Sequence, residues 1–179
     1  MIIGDGIRLR AIERSDLPLF VNWLNDHDVR RFLTIYFPMS MAFEEKWFES
    51  MISKAPEEQP LVIEVITEEG WKPIGNIGLM NVCNIDRDAE LGIFIGEKSE
   101  WGKGFGRNAI KLMLRYAFQT LNLNRIYLKV FENNLRGIKS YRASGFIEEG
   151  RMRQAKFSEG AYLDVVLMSV LRSEWLVEN

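Results

Sequence analysis

The sequence predicts an α/β (α+β) fold around a mixed central sheet. Three observations carry this. Short apolar runs alternate with polar residues after Pro60. Residues 105–121 instead repeat apolar side chains at helical spacing, and 125–131 return to a strand pattern. A strand, a helix and a strand over 88–131 make a crossover unit, which joins parallel strands in the right-handed sense.

In chain order, "IRLRAI" (7–12) places Ile7, Leu9 and Ala11 on one side and Arg8 and Arg10 on the other, as a half-buried strand does. Ser15 and Asp16 offer an N-cap for a helix over "LPLFVNWLN", and Asp26, Asp28 and Pro38 break the chain after it. Ser40 precedes a second helix, "MAFEEKWFESMI", with Phe43, Trp47 and Met51 on its expected apolar face. "LVIEVIT" and "PIGNIGLMNV" flank "EEGW" as a hairpin, and "DAELGIFIG" is a further strand. Ile110, Met113, Leu114, Ala117, Phe118 and Leu121 line one face of the helix 105–121. "RIYLKVF" is a strand, and Asn134 caps a helix through Ser144 that ends at Gly145. "RMRQAKF" and "YLDVVLMSVL" form a final hairpin about "SEGA".

The length of 179 residues suits one domain, 1–179, with a single core. A net charge of −2 provides no basic face for nucleic acid, so no nucleic-acid partner is expected. No apolar run approaches the roughly 18 residues of a membrane span, and the N-terminus lacks the layout of a secretory signal. Cys83 is the sole cysteine and His27 the sole histidine, which argues against a disulfide framework, a His/Cys metal cluster and a metal site in general. These features together suggest a cytoplasmic protein.

The stretch "EWGKGFGRNA" spends Gly102, Gly104 and Gly106 directly before a strong helix. A helix start presents unpaired N–H groups and the positive end of the macrodipole, and residues without side chains let a phosphate come close. Lys103 and Arg107 would add charge. A tight strand-to-helix turn that binds nothing has the same composition. A Walker A loop requires Ser or Thr after Gly-Lys, and Gly104 stands there. A dinucleotide fingerprint requires G-x-G-x-x-G and an acid about 20 residues on. The spacing here is G-x-G-x-G, and "NRIYLKVF" opens without an acid.

W-G-K-G-x-G at 101–106 and N-x-x-G-x-x-x-Y-x-x-x-G-F at 134–146, in this order with a helix and a strand between, resemble the acetyl-CoA-binding core of the GNAT superfamily of N-acetyltransferases. The resemblance spans residues 7–172 and lies nearest the branch of ribosomal-protein N-terminal acetyltransferases and bacterial spermidine acetyltransferases. Trp101 replaces the usual Arg or Gln opening the loop, and Gly137 replaces a usual Ala. The resemblance implies the GNAT fold, a mostly antiparallel mixed sheet with one splayed parallel pair, flanked by helices. It implies acetyl-CoA as donor, with the amides of Gly102, Lys103, Gly104, Phe105, Gly106 and Arg107 cradling its pyrophosphate and Trp101 beside them in the cofactor site. Asn134 would bond the pantetheine arm, Arg136 and Gly137 would also belong to the cofactor site, and the strand before the loop would pair with that arm.

That strand has two faces. Leu91, Ile93 and Ile95 form a plain core face, and Glu90, Gly92, Phe94 and Gly96 leave room for a ligand. A free N–H near Phe94 or Ile95 would polarise the acetyl carbonyl, and Gly96 would belong to the cofactor site with them. Tyr141 matches the family tyrosine that faces the thioester sulfur, where a phenol protonated at neutral pH donates to the leaving thiolate. Core packing is its ordinary alternative. Glu90 is the general-base candidate, with a salt-bridged surface role as the alternative. No nucleophile–base pair is evident, so the amine would attack the thioester directly within a ternary complex. A non-catalytic acyl-CoA-binding module would keep the loop and Asn134 and need neither Tyr141 nor Glu90.

In this fold the acceptor enters opposite CoA, past residues 26–48 and 155–162. These supply Tyr36, Phe37, Phe43, Trp47 and Phe157 with Glu44, Glu45 and Glu159, and core packing is expected to account for most of the aromatics. "RRFLTIYFPMS" has two arginines and no acid, which argues against a polyamine, whose ammonium groups need carboxylates. A peptide N-terminus, an amino acid, an amino sugar or another small amine fits better. Homodimerisation is compatible with this branch, without a sequence signal that fixes it.

Overall fold

The computed structural model describes residues 1–178. Strands β1 (Ile2–Ile3), β2 (Ile7–Ala11), β3 (Leu61–Thr67), β4 (Gly70–Cys83), β5 (Asp88–Ile95), β6 (Arg125–Phe131), β7 (Ile147–Ser158) and β8 (Ala161–Leu171) form one sheet in the order β1-β2-β3-β4-β5-β6-β8-β7. The helices are α1 (Leu17–Asn25), α2 (His27–Arg30), α3 (Met41–Ile52), α4 (Phe105–Gln119), α5 (Leu135–Arg142) and α6 (Arg172–Glu178). Every neighbouring pair is antiparallel except β5–β6. The crossover through α4 makes that pair parallel, as the strand–helix–strand pattern requires.

Alternation along the strands puts one apolar face on each side of the sheet. Ile63, Val65, Leu79, Leu91, Ile126 and Leu128 pack with the α4 stripe Ile110, Met113, Leu114, Ala117 and Phe118. On the opposite side Val62 joins Leu17, Phe20 and Trp23 of α1 and Phe48 and Met51 of α3. The α1 side is tied to the sheet by charge as well. Glu64, 4% exposed, accepts from Arg8 at 2.6 Å and Arg10 at 2.8 Å, and Arg10 also grips Asp16 at 2.7 Å. A buried carboxylate is tolerated only with such partners.

Several local expectations shift. Asp16 does not cap α1; its carboxylate is taken by Arg10 and the Glu13 amide. Asp26 does not simply break the chain but caps the short α2, accepting from the amides of Asp28 and Val29. Ser40 caps α3 through the Phe43 amide at 3.1 Å. The buried face of α3 is Glu44, Phe48 and Met51, one position round from the expected stripe, and Phe43 is 59% exposed. α4 stops at Gln119 rather than 121, and α5 at Arg142, with Gly145 at φ 91 in the turn behind it. The C-terminal hairpin turns on Glu159 and Gly160, both at positive φ.

Gly96, just past the end of β5, lies against the indole of Trp23. A Cβ there would lie 2.1 Å from the ring. Gly96→Ala is therefore expected to destabilise the protein by about 1–3 kcal/mol through overpacking, measured as a lowered urea midpoint.

Glu44 is 2% exposed and has no ion-pair or hydrogen-bond partner among the described residues. Burial pushes its carboxyl from 4.5 up to about 7. A raised folded-state pKa means the native state holds the proton more tightly. Its contribution is fully present below the unfolded pKa and is lost as pH rises through about 7. Glu44→Gln should remove this loss, so the variant's melting temperature gains on the parent's between about pH 5 and pH 8. A constant difference across that range would contradict it.

Candidate active site

β5 and β6 share only the register Asp88↔Arg125, Ala89↔Ile126 and Glu90↔Tyr127. Beyond Glu90 the strands part. Residues 91–95 pair with β4 alone, leaving a gap that opens toward the C-terminal ends of both strands. Gly96 donates to the Ile74 carbonyl on β4 at 2.8 Å. Successive strand amides point to opposite edges, so the Ile95 amide faces the gap. The Ile95 carbonyl accepts from the Trp101 indole N–H at 2.8 Å, which fixes the loop to the gap's rim. The donor facing the gap thus belongs to Ile95; Gly96's amide is spent on β4, and its missing side chain makes room for Trp23 rather than for a ligand. Phe94 lies edge-on to the same Trp23 at 6.2 Å.

The glycine loop leads from this rim into α4. Gly102 and Gly104 adopt φ of 78 and 88, a left-handed backbone that disfavours other residues. Gly104 occupies the N-cap of α4, and no side chain caps the helix. The first-turn amides of Phe105, Gly106 and Arg107 therefore remain available at the positive helix end. Gly106 needs glycine neither for its backbone nor for packing: a Cβ there would meet nothing nearer than Ile95 Cγ1 at 3.8 Å. The open space above it lies at the helix start, where a diphosphate would sit.

The charges around the loop differ from the sequence expectation. Lys103 pairs with Glu100 at 2.9 Å, and its ammonium, with that of Lys72, holds that carboxyl below the usual range. Arg107 has no acidic partner among the described residues. Neither has Arg136, whose guanidinium lies 3.9 Å from the centre of the Trp101 ring, with burial depressing its pKa. Arg136 is the partly buried cation left without an anion beside this loop. This arrangement fits an anionic donor such as CoA.

α5 starts where Asn134 Oδ1 accepts from the Gly137 amide at 3.0 Å, leaving the Asn134 NH₂ group free. A Cβ at 137 would come within 2.7 Å of that side chain, so Gly137 accommodates the cap. Two turns on, Tyr141 packs against the α4 core, with its ring 6.0 Å from Phe146. Burial pushes its phenol up to about 12. At the apex of the gap, Glu90 accepts from Lys129 Nζ at 3.1 and 3.2 Å and from Asn81 Nδ2 at 3.2 Å.

On the α1–α3 side the aromatics are not core, contrary to expectation. Tyr36, Phe37, Phe43 and Phe157 are exposed, and only Trp47 packs into the second cluster. Glu44 is buried on this side, and Glu159 lies 3.3 Å from His27 Nε2 and 3.8 Å from Arg31. Lys156, which the strand pattern did not single out, is buried there. Among the described residues no cluster of three or more His, Cys, Asp or Glu can hold a metal, and no helix is long and apolar enough to cross a membrane.

A mixed sheet parted at its one parallel pair, with an uncapped helix start beside the gap and a protonated phenol on the following helix, defines a CoA-dependent acyltransferase. Residues 7–147 match the Acetyltransferase (GNAT) domain family. The spermidine N(1)-acetyltransferase of Vibrio cholerae is 33% identical over 175 residues, 95% of each chain. That of Escherichia coli K12 is 29% identical over 178 residues, covering 97% of this chain and 90% of the other. The crystal structure of the Vibrio cholerae enzyme with CoA and spermine superposes with a TM-score of 0.87 at 32% identity, covering 97% of this chain and 99% of that one. The chain belongs to the GNAT acetyltransferase family, in the branch that includes these enzymes, and acetyl-CoA is its donor.

Gly106→Ala adds a methyl to space that is open in the free protein. Its stability is expected to stay within about 0.5 kcal/mol of the parent, while acetyl-CoA affinity falls at least about tenfold, read by calorimetric titration. Equal affinity would remove the diphosphate from this spot.

Proposed function

We propose that residues 1–179 act as a single catalytic domain, an N-acetyltransferase that moves an acetyl group from acetyl-CoA to the primary amine of a small molecule or peptide by direct attack in a ternary complex. The observation that carries this is the parting of β5 and β6 beside the uncapped start of α4. The amides of residues 102–107, with Arg107 and Arg136, bind the diphosphate. Trp101 and Phe105 wall the loop, and Asn134, above Gly137, donates to the pantetheine arm that enters the gap as an added strand. Acetyl-CoA supplies the activated thioester. The Ile95 amide, beside Phe94 and Gly96, polarises its carbonyl from a fixed position.

Tyr141 holds its proton across the physiological range, because burial pushes it up to about 12. It delivers that proton to the departing sulfur. Glu90 is the base. A carboxylate has about four acceptor sites, and the contacts to Lys129 and Asn81 leave capacity for an ammonium or a relay water. The single cysteine suggests a reducing, cytoplasmic setting.

A polyamine acceptor is the second reading, favoured by the likeness to the Vibrio cholerae enzyme whose structure holds spermine. The mouth of this chain offers it few free carboxylates: Glu159 lies 3.3 Å from His27 and 3.8 Å from Arg31, and Glu44 is the one acid there without a partner among the described residues.

Tyr141→Phe should lower kcat by roughly 10²- to 10⁴-fold with acetyl-CoA affinity retained, measured by thiol release and calorimetry. Unchanged turnover would exclude the acid role. Unchanged affinity with no turnover in the parent itself, over a broad amine panel, would instead favour a binding module.

A further inference from the structure

Lys156 is an unusual residue to bury. Only 6% of it is exposed. Its ammonium donates to the Tyr36 hydroxyl at 2.7 Å and lies 4.0 Å from the Tyr36 ring and 4.8 Å from the Phe131 ring. An ammonium carries three donors, and no carboxylate pairs with this one among the described residues. Asp164 on β8 and Glu132, just past the end of β6, do not pair with it. Asp164 accepts from the Gln154 amide at 2.9 Å, and Glu132 accepts from the Asp164 amide at 2.8 Å. Desolvating a charge without a counter-charge is costly, and lysine is seldom buried unpaired.

The position of this cation is set by the strand itself. β7 pairs Met152 with Val165 and Lys156 with Leu163, so the bulge between them carries extra residues, with Gln154 at φ 51. Bulges of this kind re-aim side chains. Lys156 is delivered onto Phe131, the last residue of β6, where the gap is widest. Phe131 shares its sheet face with Lys129, whose ammonium reaches Glu90 at 3.1 Å across the apex of the gap. Lys156 therefore stands over the same face as Glu90 and Phe94, opposite the side covered by α4.

We infer that Lys156, framed by Tyr36 and Phe131, binds an oxyanion carried by the acceptor, so that the preferred amines bear a carboxylate or phosphate. This rests on the acetyl transfer proposed above and names the acceptor class of that same site. The two free N–H donors of the ammonium supply the recognition, and the aromatic rings exclude the water that would screen it. A polyamine, which brings a second cation, meets repulsion at this point.

Paired probes of matched length test it: glycine to 6-aminohexanoate against the corresponding alkylamines, O-phosphoethanolamine against ethanolamine, and spermidine. Thiol release gives kcat/KM for each. In at least one pair the anionic member should exceed its neutral partner by roughly ten- to a hundredfold. Whether that pair is a carboxylate or the phosphate identifies the anion. Lys156→Met should collapse the ratio through a raised KM, and Lys156→Arg should preserve it. A purely structural lysine would alter melting temperature and leave the ratio alone, which overturns the inference, as does preference for spermidine or the neutral amines throughout. If no amine is turned over, the acetyltransferase reading fails separately. Calorimetry of the same anionic probes with CoA present then decides: binding lost in Lys156→Met supports the site, and no binding by the parent overturns it.

Discussion

Everything at this site depends on one geometric fact: two parallel strands that pair for three residues and then separate. Main-chain donors and acceptors cannot be left dry and unpaired without cost. The edge of β5 beyond Glu90 must be met by something. One carbonyl, that of Ile95, is met by the Trp101 indole. The amide beside it is left facing the gap, at the height where the glycine loop enters α4. The neighbouring glycine brings Trp23 under the strand, and α1 is locked to the sheet by Arg10, Glu64 and Asp16. The β5 side of the gap is thus held firmly, and its open edge is the place where the proposed ligand strand would pair.

Charge divides the surrounding residues into those already satisfied and those still waiting. Lys103 pairs with Glu100, Lys129 with Glu90, and Arg8 and Arg10 share Glu64. Arg136 on one side of the gap and Lys156 on the other are both partly or largely withdrawn from water without a carboxylate. An unpaired buried charge is costly, and an anion at either point would relieve that cost. In the reading proposed above, Arg136 serves the donor's end of the cleft and Lys156 the acceptor's.

Much of this was legible in the sequence, because it depends on local rules. The crossover, the amphipathic α4, the Ser40 and Asn134 caps and the glycine loop each arise from spacing or backbone chemistry within a few residues. The two motifs at 101–106 and 134–146 were specific enough to indicate the family. The features that escaped depend on distant partners. Lys103 looks like a phosphate ligand until Glu100 is seen to hold it. Gly96 looks like ligand space until Trp23 fills it. The buried face of α3 is rotated from its apolar pattern because Glu44 is taken inside, which no hydrophobic periodicity reveals. Lys156 is hidden in a polar-looking strand because only the bulge in β7 decides where it points.

Amide hydrogen exchange across residues 91–96 and 102–107, with and without acetyl-CoA, tests the central claim most directly. An added ligand strand should slow exchange at Ile95 and along the open edge of β5, together with the first-turn amides of α4, while the β4-paired amides of the same strand change little. Protection confined to other parts of the sheet, or binding that leaves both segments exchanging at their free rates, would contradict the gap as the seat of the donor.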